Sequence, residues 1–592
     1  MMKLGKKLMV LLLAGMMCFS AAACGDKGGA GDGGWGDLPP TTSSGNPTTS
    51  EGGEVEEIPG VTNAYKLKVF NFTGGYGEEW LNSLATRYKK ERAGKQFTVD
   101  GVTYDGVDFE FTKEKTLMTG MMNSGVQYDV WFQEQVFYNQ IIENGTIFTD
   151  MTDVLTSDNP YEPGVTIESK MSDYQREYYK RDGKYYGIPH YAGYIGLAYN
   201  RVMFDKYNWY FKNDYTADEF ASLECFIESA TEVKSEGPDG KLNTDDDGLP
   251  TTYDEFFALC ELISEKCNPI TWSGKHKDEY LNWFKTAMCA NYEGLEQMSL
   301  NYTFDGTAKN LIGVDAAGNV TELDDVAITK DNGYELAKQA GKYYALKFFE
   351  RIIKDGHASD GATDIMYTQV QAQEDFVRSD GTKTEHSAML IDGCWWEMEA
   401  ARTFNRIQQS TGIDYRENFG WLPLPMPTQE GADARAAKLS AGEKGYTLTD
   451  THNALAFIGK GVSADVYALA KDFLQFANTD ESLAEFSIIT DTTKALNYTM
   501  TAEQKAKMSA YGRGLMDMQE KAEIVYTFAK NAFYQANEAT FSQYKSNYGS
   551  RYTANSESVL VAVDEFRKKV TAETYFNGLY LYQQDVWKNL VK

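Results

Sequence analysis

The chain has 592 residues, a formal net charge of −29 and an aromatic content of 14%. A field of that sign repels nucleic acid and anionic lipid headgroups, which excludes both as surface-bound partners, whereas a neutral ligand is unaffected. A chain of this length is too long to fold around a single hydrophobic core, so we predict two domains.

The first segment has the pattern of a secretory signal peptide, predicted over residues 1–23. Three lysines precede an apolar run from Leu8 to Phe19, which is too short to span a bilayer. Residues 24–60 are rich in Gly, Asp, Thr, Ser, Pro and Glu and predict a disordered tether.

The residues before the tether, Ala21–Gly25, resemble the lipobox of bacterial lipoproteins. The resemblance implies that Cys24 becomes the lipidated first residue and holds the chain at the extracellular face of the cell membrane. The alternative is an ordinary signal peptide with an incidental cysteine.

Strands then alternate with helices. Residues Tyr65–Phe72 predict a strand, and a helix follows from Glu78. A second strand near Val107–Thr112 precedes another helix, and a third at Tyr128–Phe132 precedes a helix over Val136–Asn144. This order predicts a mostly parallel sheet covered by helices on both faces.

Two features of the rest of the chain bear on its class. At the C-terminus, Ser558–Val570 and Tyr575–Leu590 show helical apolar spacing and no strand signal. The five cysteines of the body lack any zinc spacing, so we interpret them as buried small hydrophobes, with a disulfide allowed but not required.

Several segments, in order along nearly the whole body, resemble the extracellular solute-binding proteins of carbohydrate ABC importers. They are Leu67–Glu91, Tyr128–Leu155, Asp182–Pro189, Tyr191–Asn200, Ala388–Trp396 and Phe419–Pro425. The resemblance implies an α/β, two-lobed periplasmic-binding-protein-like clamshell of type II, each lobe a sheet flanked by helices, with extra C-terminal helices.

The resemblance also implies the division of the chain. Lobe one is expected to hold residues 65–195 and 440–500, and lobe two residues 196–427 and 502–592. An insertion at 237–255 falls in lobe two. The implied function is capture of a carbohydrate, with an oligosaccharide expected, and its delivery to the permease subunits of an ABC transporter, without catalysis.

The insertion contains a calcium-loop template. Its candidate ligands are the side chains of Asn243, Asp245, Asp247 and Asp254 and the main-chain oxygen of Leu249. Alternating carboxylates suit a hard cation that takes six to eight oxygens. Thr252 and Glu255 also form a capping box that predicts a helix start. A structural calcium site and a solvated acidic turn both remain open.

Aromatic residues are the candidate ligand platform because the C–H faces of sugars pack flat on aromatic rings. The candidates are Tyr76, Glu134, Tyr191, Tyr194, Trp272, Trp395 and Trp396. Core packing is the alternative for each ring, and a plain surface acid for Glu134. The apolar run Ala388–Ile391 predicts a buried strand that ends at Asp392-Gly393, so the next side chains are expected at the rim of the sheet. If residues 395–396 stay extended, their side chains point in opposite directions, and the resemblance favours Trp395 as the ligand contact.

An enzymatic function finds little support. A glycosidase needs two carboxylates beside its substrate, but a chain with 86 acidic residues contains such pairs by chance. Their presence therefore gives no evidence for a glycosidase. No nucleophile elbow or zinc-protease motif occurs, and the five histidines are dispersed. The turn at Thr73–Gly77 lacks the Lys of a phosphate loop and is followed by Glu78 and Glu79. The remaining alternative is a peptide-binding or adhesion lipoprotein on the same fold.

Overall fold

The computed structural model describes residues 58–114, 128–134, 138, 148–378, 386–541, 552–554, 557–559, 562–568 and 570–591. The expected signal peptide, Cys24 and nearly all of the tether lie outside the described residues. The helix expected after Val107–Thr112 and, apart from Tyr138, the helix expected at Val136–Asn144 lie outside them too.

Strands form mainly where β-branched and aromatic residues concentrate. In chain order they are β1 (Ala64–Phe72), β2 (Phe97–Val99), β3 (Val102–Tyr104), β4 (Gly106–Glu114), β5 (Val130–Gln133), β6 (Ile188–Pro189), β7 (Ile195–Asn200), β8 (Asn268–Thr271), β9 (Gly306–Ala308), β10 (Ile312–Val314), β11 (Val320–Glu322), β12 (Val326–Ile328), β13 (Ser387–Gly393), β14 (Phe419–Leu422), β15 (Tyr446–Asp450), β16 (Leu455–Ile458), β17 (Ala522–Tyr526), β18 (Tyr552–Ala554) and β19 (Glu557–Val559). The expected strands at residues 65–72, 107–112, 128–132 and 388–391 are confirmed as β1, β4, β5 and β13.

Many helices begin at a Ser, Thr or Asn whose side chain accepts a main-chain N–H of the first turn. In chain order they are α1 (Glu79–Arg92), α2 (Thr152–Thr156), α3 (Asp173–Tyr179), α4 (Arg201–Tyr207), α5 (Ala217–Ala221), α6 (Tyr253–Ser264), α7 (Lys277–Thr303), α8 (Ala340–Lys354), α9 (Gln369–Val377), α10 (Trp396–Glu399), α11 (Ala401–Thr411), α12 (Gln429–Ser440), α13 (Ala464–Ala477), α14 (Asp480–Thr490), α15 (Ala502–Lys505), α16 (Ala510–Glu520), α17 (Ala532–Ala536), α18 (Glu538–Phe541), α19 (Ala562–Phe566) and α20 (Ala572–Leu590). The helix expected after Glu78 is α1, and the capping box of Thr252 and Glu255 starts α6 as expected.

The first large sheet has the strand order β4-β1-β5-β16-β6, and we call the part of the chain built on it lobe one. β1 runs parallel to β4 and β5, while β16 is antiparallel to β5 and β6. The carboxyl ends of β1 and β5 therefore meet at one edge, where open α/β sheets place their ligands. The turn after β1 and Glu134 after β5 lie at that edge.

The second sheet has the order β14-β7-β13-β8, and lobe two is built on it. The chain crosses from lobe one between β6 and β7 and returns between β14 and β16. Because β13 is antiparallel to β7, its end at Gly393 lies opposite Ile195, where the chain enters lobe two. The residues after β13 therefore emerge beside the crossover.

The C-terminal part is not purely helical, which corrects the sequence analysis. Strand β17 pairs in parallel with β15, and β18 pairs with β19. The segment expected to be a helix at Ser558–Val570 begins within β19, and among its described residues only those of α19 are helical. These strands are too short to show a period, and β17 forms because β15 offers it a partner distant in sequence.

The five body cysteines are free thiols, and four of them are buried: Cys225, Cys260, Cys289 and Cys394. Cys267 is partly exposed. The interpretation as small hydrophobes is confirmed for the buried four, and no disulfide links the five.

Candidate functional site

A cluster of aromatic rings joins the two lobes, and its tightest approach is between Gly75 and Trp395. Gly75 lies in the turn after β1 at φ +63°, and a Cβ there would lie 2.9 Å from the Trp395 ring. Only glycine combines that backbone conformation with that proximity. The turn thus brings lobe one into contact with the residue that follows β13 in lobe two.

Tyr76, the next residue, stands at the centre of this cluster. Its ring centroid is 4.0 Å from that of Tyr191 and 6.1 Å from those of Trp395 and His452. Its hydroxyl donates to the carbonyl oxygen of Ala192 at 2.9 Å. Tyr76 is therefore fixed against the crossover segment.

Trp395 forms the lobe-two side of the cluster. It is 4% exposed, and its ring centroid is 4.3 Å from His452. Helix α7 adds Trp283 and Tyr280, with centroids 6.1 and 6.4 Å from that of Trp395. Trp283 is partly exposed and marks the solvent edge of the cluster.

One acidic and one imidazole side chain accompany the rings. The Tyr191 hydroxyl donates to the Glu134 carboxyl, and His452 Nε2 is 3.8 Å from Glu134 Oε1. Burial raises the pKa of Glu134 to about 8 and lowers the pKa of His452 to about 3. Both groups are neutral at pH 7, so the site offers neutral hydrogen-bonding groups beside aromatic faces.

Glu134→Gln tests this protonation state. The pKa of Glu134 in the folded state lies above its ordinary value of 4.5, so the folded protein holds this proton more tightly than the unfolded chain does. The free energy of unfolding of wild type relative to the variant is therefore greatest below pH 4.5 and falls as pH rises through about 8. We expect Glu134→Gln to gain on the order of a few kcal/mol over wild type across that range. Melting temperatures of both proteins from pH 5 to 9 measure the gain, and a constant difference would contradict the assignment.

Trp396 points away from the cluster into lobe two. It is fully buried, and its ring packs against those of Phe376, Phe404, Phe419 and Tyr511. The expectation that residues 395–396 stay extended is wrong, because Trp395 adopts helical angles (φ −87°, ψ −1°) as the N-cap of α10. The two side chains still diverge, since successive helical residues point about 100° apart.

Two other candidate rings lie outside the cluster. The Tyr194 hydroxyl accepts a hydrogen bond from Gln519 Nε2 at 3.1 Å, and its main-chain oxygen accepts from Cys394 N at 2.8 Å. Trp272 lies in the segment between β8 and α7, directly after β8, and it is fully buried. Neither residue has a described ring contact with Tyr76 or Trp395.

Three members of the cluster were not selected from the sequence: Tyr280, Trp283 and His452. Tyr280 and Trp283 are three residues apart and share one face of α7, a spacing that could have drawn attention to them. No sequence pattern marked His452 as a site residue, because only folding brings it to the crossover. A Cβ on Gly193 would lie 2.0 Å from His452 Nδ1, so Gly193 is what admits the imidazole there.

The acidic loop is turned mainly on itself. Asp247 accepts from the main-chain N–H groups of Asn243 and Thr244 at 2.8 and 3.1 Å. Asp245 is exposed, and Leu249 donates its N–H to the carbonyl of Asp246. Asp254 lies in the first turn of α6 and pairs with Arg351 at 3.1 Å. Within the described ranges, no group of three or more His, Cys, Asp or Glu side chains is arranged to hold a metal ion.

Two sheets joined by crossovers, with an aromatic cluster between them, define a two-lobed ligand-binding protein. The family model of the bacterial extracellular solute-binding proteins matches residues 83–512. The match spans more than half of the chain, so the chain belongs to this family. No helix within the described ranges is both long enough and apolar enough to cross a membrane.

Several solved structures are similar to this chain at low identity. A protein from work on xylan utilization by the thermophilic bacterium Caldanaerobius polysaccharolyticus matches at 14% identity and a TM-score of 0.50, over 88% of this chain and all of its own. The cyclic alpha-maltosyl-1,6-maltose binding protein of Arthrobacter globiformis matches at 13% and 0.49, over 89% and 100%. A chitin oligosaccharide binding protein matches at 15% and 0.49, over 89% and 99%. No curated protein sequence matches the chain.

Proposed function

We propose that the chain captures a carbohydrate, an oligosaccharide, between its lobes and delivers it to the permease subunits of an ABC importer, without turnover. One observation carries the proposal: Tyr76 and Tyr191 from one side and Trp395 from the other meet beside the neutral groups of Glu134 and His452.

That arrangement matches the chemistry of a sugar. Apolar C–H faces pack on aromatic rings, and hydroxyl groups need hydrogen-bond partners once water is excluded. Glu134 and His452 supply such partners and carry no net charge. A charged ligand would instead require an opposite charge in the site. The rings of Tyr76, Tyr191 and Trp395 are at most 4% exposed, so a sugar reaches them only when the lobes separate.

A thermal-shift screen against matched panels of glycans and peptides tests the function. A ligand at 100 times its Kd stabilises by about 2.7 kcal/mol, which is readily detected as a rise in melting temperature. We expect oligosaccharides to shift wild type and to leave Trp395→Ala unshifted. Stabilisation by peptides alone would favour the peptide-binding alternative, and release of reducing ends from a bound glycan would contradict a receptor without turnover.

We also propose that Cys24 is lipidated and anchors the protein at the extracellular face of the membrane. The lipobox-like residues Ala21–Gly25 support it. Intact-mass analysis of detergent-extracted protein is expected to show a chain starting at Cys24 with a diacylglyceryl-sized addition, which Cys24→Ser removes. A soluble product cleaved elsewhere would refute the anchor.

The acidic loop is proposed to bind calcium as a structural ion. The spacing of Asn243, Asp245 and Asp247 supports this, as does Gly248 at φ +76°, which provides the sharp turn at the sixth position. Asp254 would have to leave Arg351, and this costs little because the Asp254 side chain is 80% exposed.

We therefore expect EDTA to lower the melting temperature of wild type and added calcium to restore it. The double substitution Asp245→Ala and Asp247→Ala should abolish that sensitivity. Asp324→Ala with Asp325→Ala, on an exposed loop, is the matched control and should keep it. A wild type indifferent to EDTA would exclude a stabilising metal.

A further inference from the structure

A small cavity inside lobe two lies at the bend of helix α7. The helix is interrupted at Gly294, whose backbone angles (φ 72°, ψ 177°) are not helical, and both of its halves line the cavity together with α8. The cavity volume is about 20 Å³, enough for one water-sized or monoatomic occupant.

Lys285 of α7 lines this cavity and also an adjacent one of about 10 Å³ between α7, α8 and α19. The residue is 7% exposed. Within the described part of the chain its ammonium group has no hydrogen bond and no ion pair, and the Tyr575 ring centroid lies 5.8 Å away. Lys285 is thus a buried cation without a counter-charge in a chain with 86 acidic residues.

A second lysine, Lys342 of α8, lines the same cavity and is 8% exposed. Its ammonium group donates to Asn301 Oδ1 at 2.7 Å, a neutral oxygen. Burial, together with the charge of Lys342, lowers the pKa of Lys285 to about 7. Burial also lowers the pKa of Lys342, to about 8, so below pH 7 both side chains that line this small cavity carry a positive charge.

The acidic groups nearby do not balance Lys285. Burial raises the pKa of the Cys289 thiol, which lines the cavity and stays neutral. The Glu293 carboxyl, whose pKa burial raises to about 7, accepts from Gly341 N at 2.7 Å and from Asn310 Nδ2 at 3.1 Å. Its charge acts on Lys342 and not on Lys285. An anion in the cavity would supply the missing charge.

We propose that this cavity binds a monoatomic anion, chloride or another halide, between the ammonium groups of Lys285 and Lys342. The site would join α7 to α8 through one ion. Because α7 also carries Tyr280 and Trp283, the anion would stabilise the helix that presents these two rings to the aromatic cluster.

Salt-specific melting tests the site. At pH 6 and equal ionic strength, we expect wild type to melt about 1–3 °C higher in sodium chloride than in sodium methanesulfonate, whose anion is too large for the cavity. Lys285→Met should melt equally in both salts. Lys330→Met, which removes a 60% exposed lysine, should behave as wild type. Equal melting of wild type in both salts, or a difference that survives Lys285→Met, would overturn the proposal.

Crystals of the wild-type protein grown in bromide give an answer that does not depend on a variant folding. An anomalous bromide peak in the cavity between Lys285 and Lys342 is the expected result. Its absence, with bromide ordered elsewhere in the same crystal, would show that the cavity holds no anion.

Discussion

Trp395→Ala is expected to weaken sugar binding by about 2–4 kcal/mol, enough to abolish detectable affinity for a micromolar ligand. The ring centroid of Trp395 lies 6.1 Å from that of Tyr76 and 4.3 Å from that of His452, so this lobe-two ring packs directly against the opposite side of the cluster. Its removal takes away the largest stacking surface while leaving the strand before it intact. Isothermal titration with the glycan found in the thermal-shift screen measures the loss.

Two controls make that result specific. Trp395→Phe keeps a smaller aromatic face and should retain part of the affinity. Circular dichroism of Trp395→Ala should match wild type, because Trp395 lies after the end of β13 and its buried ring packs between the lobes. Unchanged affinity in Trp395→Ala would show that the ligand binds elsewhere, and Trp272 would be the next residue to substitute.

Trp396→Ala should act on stability instead. Its ring is fully buried against Phe376, Phe404, Phe419 and Tyr511, and truncation of such a ring costs about 3–5 kcal/mol. We expect a clear fall in the denaturant midpoint of lobe two, with the affinity of the remaining folded protein unchanged.

Trp396→Phe serves as the matched control, since it keeps a ring in the same place and should cost less. Urea unfolding followed by tryptophan fluorescence and by circular dichroism separates the two effects. A Trp396→Ala variant with wild-type stability and reduced affinity would reverse the roles assigned to the two tryptophans.

Together the two substitutions test whether Trp395 faces the cleft and Trp396 packs inside lobe two, an arrangement that the sequence could suggest but not establish. An apolar run ending in Asp392-Gly393 predicted β13 and the emergence of the next side chains at the rim of the sheet. The divergence of the two rings was also expected, but for a different reason. The chain enters α10 instead of continuing as a strand, over four residues of which Glu397, Met398 and Glu399 favour a helix.

Local signals determined the parts of this protein that depend on neighbouring residues. The alternation in β1, the apolar run of β13 and the capping box at Thr252 each specify their structure within a few residues. The length of the chain, together with the resemblance of its segments to solute-binding proteins, was enough to predict two lobes.

Only the tertiary structure decided which residues meet in the cleft. His452 reaches Trp395 because the chain returns to lobe one beside Gly193, and β17 forms because β15 lies next to it. The protonation of Glu134 was equally beyond the sequence: its pKa rises because burial in the folded chain removes water from the carboxyl, and the hydrogen bond from Tyr191 offsets only part of that rise. Contacts between residues far apart in sequence leave no periodic trace in either segment, and burial is a property of the assembled fold.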